Sequence, residues 1–319
     1  MEVRNLQVDG AEVRGMSEAD AVVVNYNSEA YLARCLRALS SQEGLRNVVV
    51  IDNGPSGRGV EALVSGRPRA RLISNRRNVG FGRACNQGFR ITTADWVLIV
   101  NPDCELAPGA LPTMISCAEA HYRAAMVGPR LYNPDGGLQT SAYRLPTLVQ
   151  SLAHLFGLKR LVPVGLLRKA LGRVLGKAFG QFSPHDTETE VEMVTGACAL
   201  IRRAALTQVG LFDPTFFVYN EEKDWCERAR RLGWEIWFTP AAAAVHAIGR
   251  SISPDSADAF RHRSMGMLRF YAKHRGQGSL RILRVAVAVA AACKLLTTLG
   301  RGPAALYRQT AREAMSYSP

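Results

Sequence analysis

No Cys-x-x-Cys pair occurs in the 319 residues, and the seven cysteines (Cys35, Cys85, Cys104, Cys117, Cys198, Cys226 and Cys293) are scattered and odd in number. That pattern argues against a disulfide framework and a cysteine-built zinc site, and it suits a reducing cytoplasm. Long hydrophobic runs are missing as well. Crossing a bilayer takes about 20 apolar residues; the best candidate, Val285 to Leu299, falls short and is interrupted by Lys294. Met1 to Asp20 contains several acidic residues and no apolar run, so it is read as a polar extension and not as a secretory signal. Carboxylates are absent from Gly136 to His185, where Arg144, Lys159, Arg160, Arg168, Lys169, Arg173 and Lys177 alternate with leucines and valines. Aromatics are scarce there too, with only Phe156 between Arg144 and Lys177. Surfaces for single-stranded nucleic acid interleave basic residues with stacking aromatics, so nucleic acid is not expected as a partner.

What the chain does have is apolar bulk and positive charge. Apolar residues make up 47% of it, enough for a substantial core. Lysines and arginines outnumber acidic residues 40 to 27, a formal charge of +13. Such an excess attracts something anionic, and lipid headgroups and phosphorylated substrates both qualify.

Local patterns alternate between strand and helix. Ala21 to Val24, Asn47 to Ile51, Arg71 to Ser74 and Trp96 to Val100 are short apolar runs of the buried-strand type. Between them, Glu29 to Ser40, Val60 to Val64 and the region after Asn78 carry helical spacing, as does Leu111 to Ala120. Alternation of this kind predicts a mostly parallel sheet with right-handed crossovers, an α/β fold. Further on, Met193 to Ile201 and Glu235 to Thr239 are strand candidates, and Glu221 to Leu232 and the chain beyond Asp258 are helical. The expected organisation is one catalytic domain over 21–255, with a basic amphipathic helical insert at 136–185. A helical, membrane-associated segment follows at 256–319. Parallel sheets bind ligands beyond the carboxyl ends of their strands; here those ends carry Asn25, Asp52 and Asp103.

Several residues at such positions could do chemistry, and each also has a plain structural use. Asp103, in Asn101-Pro102-Asp103, could hold a divalent cation against a diphosphate, or simply make a turn. Asp52 could accept from a ribose or a base, or cap the next turn. The run Asn78 to Gly88 looks like a dinucleotide fingerprint, but Cys85 stands where the third small residue belongs. Its glycines could let backbone approach a diphosphate, with Arg76 or Arg77 beside it. In Phe217 to Trp225, three carboxylates crowd a helix start, where the dipole favours them. Asp224 can pair with Arg228 four residues on, whereas Glu221 and Glu222 have no such partner and one could be a general base. His246 ends an apolar run and matters only if the fold returns it to Asp103.

In this order, the blocks Val22-Val23-Val24-Asn25-Tyr26-Asn27, Val50-Ile51-Asp52-Asn53, Asn78-Val79-Gly80-Phe81-Gly82, Asn101-Pro102-Asp103, and Thr195-Gly196-Ala197-Cys198 through Glu221-Glu222-Lys223-Asp224 resemble the family 2 glycosyltransferases of the GT-A fold. The resemblance implies a nucleotide-sugar site at Asn25, Tyr26, Asp52, Asn53, Arg77, Asn78, Gly80 and Asn101. It implies Mg2+ or Mn2+ on Asp103 and His246, the first Asp of the family's Asp-x-Asp being replaced by Asn101. It also implies Glu222 as catalytic base, supported by Glu221 and Asp224. Gly128-Pro129-Arg130 through Pro134-Asp135-Gly136, with Arg144-Leu145-Pro146-Thr147, most resemble the rhamnosyltransferase branch. The implied reaction is inverting transfer of L-rhamnose from dTDP-L-rhamnose to a polyprenyl-diphosphate-linked glycan. It would take place at the cytoplasmic face of the plasma membrane with the enzyme bound peripherally. A UDP-sugar or galactofuranose donor, or a catalytically inactive nucleotide-sugar-binding module, are the alternatives.

Overall fold

The computed structural model describes residues 17–54, 58–157, 186–247, 256–297 and 303–318. Parallel strands β1 (Ala19–Asn25), β2 (Leu45–Asp52), β3 (Ala70–Ser74) and β4 (Trp96–Val100) form half of a sheet ordered β3-β2-β1-β4. They are linked by helices α1 (Glu29–Ser40), α2 (Arg58–Ser65) and α3 (Phe81–Ile91). The other half follows β5 (Cys104–Leu106) and α4 (Ala110–Ala120). Strands β6 (Ala124–Tyr132) and β12 (Glu235–His246) run parallel to each other, while β11 (Cys198–Arg202) enters antiparallel between β4 and β6. Strand β5 closes the edge antiparallel to β12. The architecture is the expected mostly parallel α/β sheet.

Alternation along the central strands sorts two hydrophobic layers. Val22, Val24, Val49, Ile51, Val97 and Ile99 face one side, while Ala21, Val23, Val48, Val50, Leu98 and Val100 face the other. The second layer receives α1 and α4. The first receives α3 and the later helices α6 (Arg203–Val209), α7 (Glu221–Arg231), α8 (Ala257–His274) and α9 (Gln277–Thr297). Gly88 is what lets α3 lie this close. A Cβ there would sit 2.5 Å from Cγ1 of Val22, in a layer with no slack.

Several segments differ from the sequence expectation, each for a tertiary reason. Strand β1 begins at Ala19, inside the expected polar extension, because Asp20 is buried and fully bonded. It accepts from the Arg46 guanidinium at 2.8 Å, from Asn47, and from the backbone amides of Thr93 and Ala94. Burial pushes its carboxyl up, but the Arg46 bond and the backbone donors outweigh that and hold it at about 2. The 136–185 stretch opens not as helix but as two short strands, β7 (Leu138–Gln139) and β8 (Ala142–Tyr143), followed by helix α5 (Leu148–Leu155). Its remainder, 158–185, lies outside the described residues, as does 1–16 of the polar extension. The run Met193 to Ile201 is split at Thr195-Gly196-Ala197 into β10 (Met193–Val194) and β11, and β9 (Thr189–Val191) adds to β12. Strand β12 extends through the alanines to His246.

The C-terminal helices belong to the main body. Leu268, Tyr271, Leu280, Leu283 and Val287 share one hydrophobic layer with Val22 and Trp225. Helix α10 (Ala304–Ser316) packs back through Tyr307 on Phe260 and an Arg261–Glu313 ion pair of 2.8 Å. The apolar stretch from Val285 falls within α9 as far as Thr297, the last two residues of the stretch lying outside the described residues; the helix buries one side and leaves Ile282, Val285, Val289 and Leu296 about half exposed or more on the other. Among the described residues no helix is long and apolar enough to cross a membrane.

Candidate active site

At the carboxyl ends of β1, β2 and β4 lies a cavity of about 290 Å³. Its wall includes Tyr26, Asn53, Asn78, Gly80, Asn101, Asp103, Glu221, Glu222 and His246. Of the residues singled out from sequence, Asn25, Asp52, Arg77 and Asp224 are not on that wall. Asn25 and Asp52 lie directly behind it, both buried, with the Asn25 amide donating to Asp52 Oδ1 at 3.1 Å. The buried side-chain oxygen of Asn25 has no hydrogen-bond partner. Arg77 is exposed on the loop after β3.

Backbone pairing brings Asp103 and His246 together across 143 residues of chain. After β4 the chain turns, with the Cys104 amide donating to Asn101 O, and enters β5, whose Cys104 is the register partner of His246 on β12. The Ala247 amide then donates to Asp103 O at 2.9 Å. As a result Asp103 Oδ1 stands 3.3 Å from His246 Nε2, and both side chains are nearly buried. A carboxylate oxygen and an imidazole nitrogen at that separation can touch one ion. This mixed O/N set suits a first-row divalent cation that takes its other ligands from phosphate and water.

The loop from Asn78 is built by amides. Asn53 donates to Asn78 Oδ1 at 2.9 Å and accepts from Val79 N, Asn75 bridges Asn53 and Gln87, and Asn78 Oδ1 takes the Gly80 amide. Gly80 has φ of 92°, and a Cβ there would lie 2.5 Å from the Phe217 carbonyl, which accepts from Phe81 N at 2.7 Å. Gly80 thus admits another segment of the chain and clamps this loop to the turn ahead of α7. Asn86 adds a second clamp, exchanging both amide hydrogen bonds with the backbone of Phe212.

That turn carries strain. Tyr219 and Asn220 are consecutive non-glycine residues at φ of 67° and 73°, a conformation that costs on the order of 1 to 3 kcal/mol each and clusters at functional sites. It presents Glu221 and Glu222 as the first residues of α7. Glu221 is buried, with one carboxyl oxygen unpartnered. Burial drives its carboxyl well above the usual carboxylate range, and the adjacent Glu222 pushes the same way. Glu222 is only half-buried and opens on the cavity. Two neighbouring carboxyls are thus placed in unlike surroundings, the arrangement that separates an acid from a base.

Asp224, one turn along, faces away from the cavity and is wholly buried. Its carboxylate pairs with Arg228 at 2.9 Å, Lys273 at 2.6 Å and His274 at 2.8 Å, tying α7 to the end of α8. Lys273 also holds Asp213 at 2.7 Å. The sequence reading missed three wall residues that complete the mouth: Phe217, stacked on His262 at 4.8 Å, Tyr219, and Arg263 of α8, whose guanidinium lies over the Tyr219 ring at 5.6 Å. The aromatic run from Phe217 was visible in the sequence; Arg263, two segments downstream, carried no local signal.

Comparisons with known proteins bear on the family and the fold. The family model of glycosyl transferase family 2 matches residues 20–210. An N-acetylglucosaminyl-diphospho-decaprenol L-rhamnosyltransferase of Mycobacterium tuberculosis is 30% identical over 76% of this chain and 81% of its own length. The galactofuranosyltransferase GlfT1 of the same organism is 28% identical over 72% and 70%. Among solved structures, GalNAc-T7 with UDP, GalNAc and Mn2+ superposes with a TM-score of 0.60 at 14% identity, over 95% of this chain and 56% of that one. A mannosyltransferase from Pyrobaculum calidifontis in complex with GDP-Man and Mn2+ gives 0.55 at 15%, over 96% and 77%. Those likenesses bear on the fold, which is GT-A. The sheet, the ordered strand-end residues and the matched model together place the chain in glycosyl transferase family 2.

Proposed function

We propose that the protein transfers L-rhamnose from dTDP-L-rhamnose, with inversion, to a hydroxyl of a polyprenyl-diphosphate-linked glycan. The observation that carries this reading is one cavity with Asp103 and His246 on its wall together with the paired carboxyls Glu221 and Glu222. The rhamnosyl and lipid-diphosphate specifics lean on the M. tuberculosis relative and its name.

In this reading Asp103 and His246 hold Mg2+ or Mn2+, which when bound neutralises charge growing on the departing diphosphate. Asn53, Asn78, Gly80 and Asn101 bound the donor beside them, with Tyr26 on the wall and the Asn25–Asp52 pair behind it. Glu222 accepts the proton of the acceptor hydroxyl as its oxygen bonds to the anomeric carbon and the bond to the diphosphate breaks. A single displacement inverts that carbon. Glu221, whose carboxyl burial pushes well above the usual carboxylate range, disfavours a second negative charge beside the base. Orientation of two bound substrates supplies much of the rate.

Purified protein with Mn2+ is expected to move rhamnose from dTDP-L-rhamnose to a polyprenyl-diphosphate N-acetylglucosamine acceptor. The new bond should have the opposite anomeric configuration to the donor. The GlfT1 likeness motivates a second arm with UDP-galactofuranose. Transfer from that donor alone replaces the rhamnosyl reading, and no transfer from any nucleotide sugar leaves a binding module.

A lipid-linked acceptor calls for an enzyme at the membrane surface. Supporting this, α9 presents Ile282, Val285, Val289 and Leu296, 47 to 68% exposed, at helical spacing on a protein of charge +13. Each basic residue near an anionic surface contributes about 1 kcal/mol. The protein is expected to float with vesicles containing anionic phospholipid at low salt and to detach at high salt. Failure to float at low salt overturns peripheral attachment.

A further inference from the structure

Gln139 sits on β7, in the stretch expected to be helical, and is almost fully buried beside His246. Its amide nitrogen lies 3.2 Å from the backbone carbonyl of His246 and 2.9 Å from Asn133 Oδ1. A main-chain carbonyl can only accept, so the end of the amide that faces it must be the NH2 group; the orientation follows from that contact. The opposite end, Oε1, is 2.7 Å from His246 Nδ1. An amide oxygen only accepts, so Nδ1 must carry hydrogen. In a neutral ring this leaves Nε2 as a bare lone pair, and Nε2 is the atom facing Asp103 Oδ1. Two acceptors pointed at each other require something positive between them, a proton or a metal cation.

We propose that Gln139 is a positioning residue that locks His246 in its Nδ1–H tautomer, keeping the Nε2 lone pair aimed at the cation shared with Asp103. The bracket is stiff. Asn133 receives the Gly136 amide and donates its own to Gly137, and Gln139 is the register partner of Leu131 on β6. The hairpin therefore fixes the amide, the amide fixes the ring, and the ring faces the carboxylate. Partners of this kind, one bond behind a metal ligand, typically govern affinity by tenfold to a hundredfold. The inference rests on the reading of Asp103 and His246 as a cation site.

Two measurements separate the lock from that reading. In metal-free wild-type protein, long-range 15N–1H NMR of the histidine ring nitrogens, assigned with His246→Ala, should find His246 protonated at Nδ1, the less common form of free imidazole. A ring carrying hydrogen at Nε2 alone overturns the lock, whatever the metal data say. Mn2+ titration by EPR in the presence of dTDP should give binding that His246→Ala weakens and that Gln139→Met weakens tenfold to a hundredfold. Gln139→Met should also shift His246 towards the Nε2–H form. If His246→Ala weakens Mn2+ binding and a folded Gln139→Met does not, the lock fails while the cation site stands. If His246→Ala changes nothing, the cation reading fails. Should Gln139→Met not fold, the wild-type tautomer decides.

Discussion

Glu222→Gln is expected to lower kcat by about a hundredfold to ten-thousandfold, the usual range for removing a general base. At about 1.4 kcal/mol per tenfold, that is roughly 3 to 5 kcal/mol of barrier. Donor binding should survive, because the amide keeps the shape of the side chain and loses only its ability to take a proton. Glu222→Asp should keep partial activity, since the carboxylate remains but is withdrawn by one methylene. Glu221→Gln is the informative neighbour. Burial and the adjacent Glu222 already raise the Glu221 carboxyl well above the usual carboxylate range, so a neutral amide should change little and turnover should fall far less. Single-turnover kinetics on the variants checks the pair. Normal turnover in Glu222→Gln with a dead Glu221→Gln would reverse the roles.

Asp224→Ala should cost stability before it costs chemistry. Removing one partner of a buried ion network leaves the others uncompensated, typically at about 3 to 5 kcal/mol, and here Arg228, Lys273 and His274 all lose their carboxylate. For a chain of this size that corresponds to a fall in Tm of roughly 4 to 8 °C. The network also predicts a pH dependence. Burial pushes the Asp224 carboxyl up, but its bonds from His274 and Lys273 and the Arg228 charge prevail and hold it at about 2. A carboxylate lower in the folded than in the unfolded state, where it is about 3.9, stabilises fully above the unfolded value. That contribution is lost as pH falls through about 4 towards 2. Chemical denaturation between pH 2 and 6 should show a shallower acid limb in Asp224→Ala than in wild type, with Asp20 supplying part of the remainder. Unchanged stability with lost turnover would instead make Asp224 part of the catalytic machinery.

The parallel half of the sheet was legible because its strands are unbroken apolar runs, each closed by polar turn residues such as Asn25 and Asp52. Strand β6 was not, since Gly128 and Pro129 interrupt its apolar pattern; the glycine is needed because a Cβ there would lie 2.6 Å from Val194. The turn at Gly196 hid behind flanking apolar residues in the same way. Ordered motifs pointed to Asp103, His246 and Glu222, and the fold gathers them on one wall. What the motifs could not tell is which polar side chains face that wall and which build it. Asn53, Asn75 and Asn86 spend their amides on loops, and Asp224 spends its charge on α8. Gln139 and Arg263 gain their places only through contacts distant in sequence, where local spacing carries no information.

Isothermal titration of dTDP, with and without Mn2+, into wild-type protein and Asp103→Ala tests the central claim most directly. Mn2+ is expected to tighten dTDP binding to the wild type markedly. In Asp103→Ala that enhancement should vanish while the melting temperature in the absence of ligand stays close to wild type. Equal dTDP affinity with and without Mn2+ in the wild type, or an undiminished Mn2+ effect in Asp103→Ala, would contradict the assignment of this cavity as a metal-dependent nucleotide-sugar site.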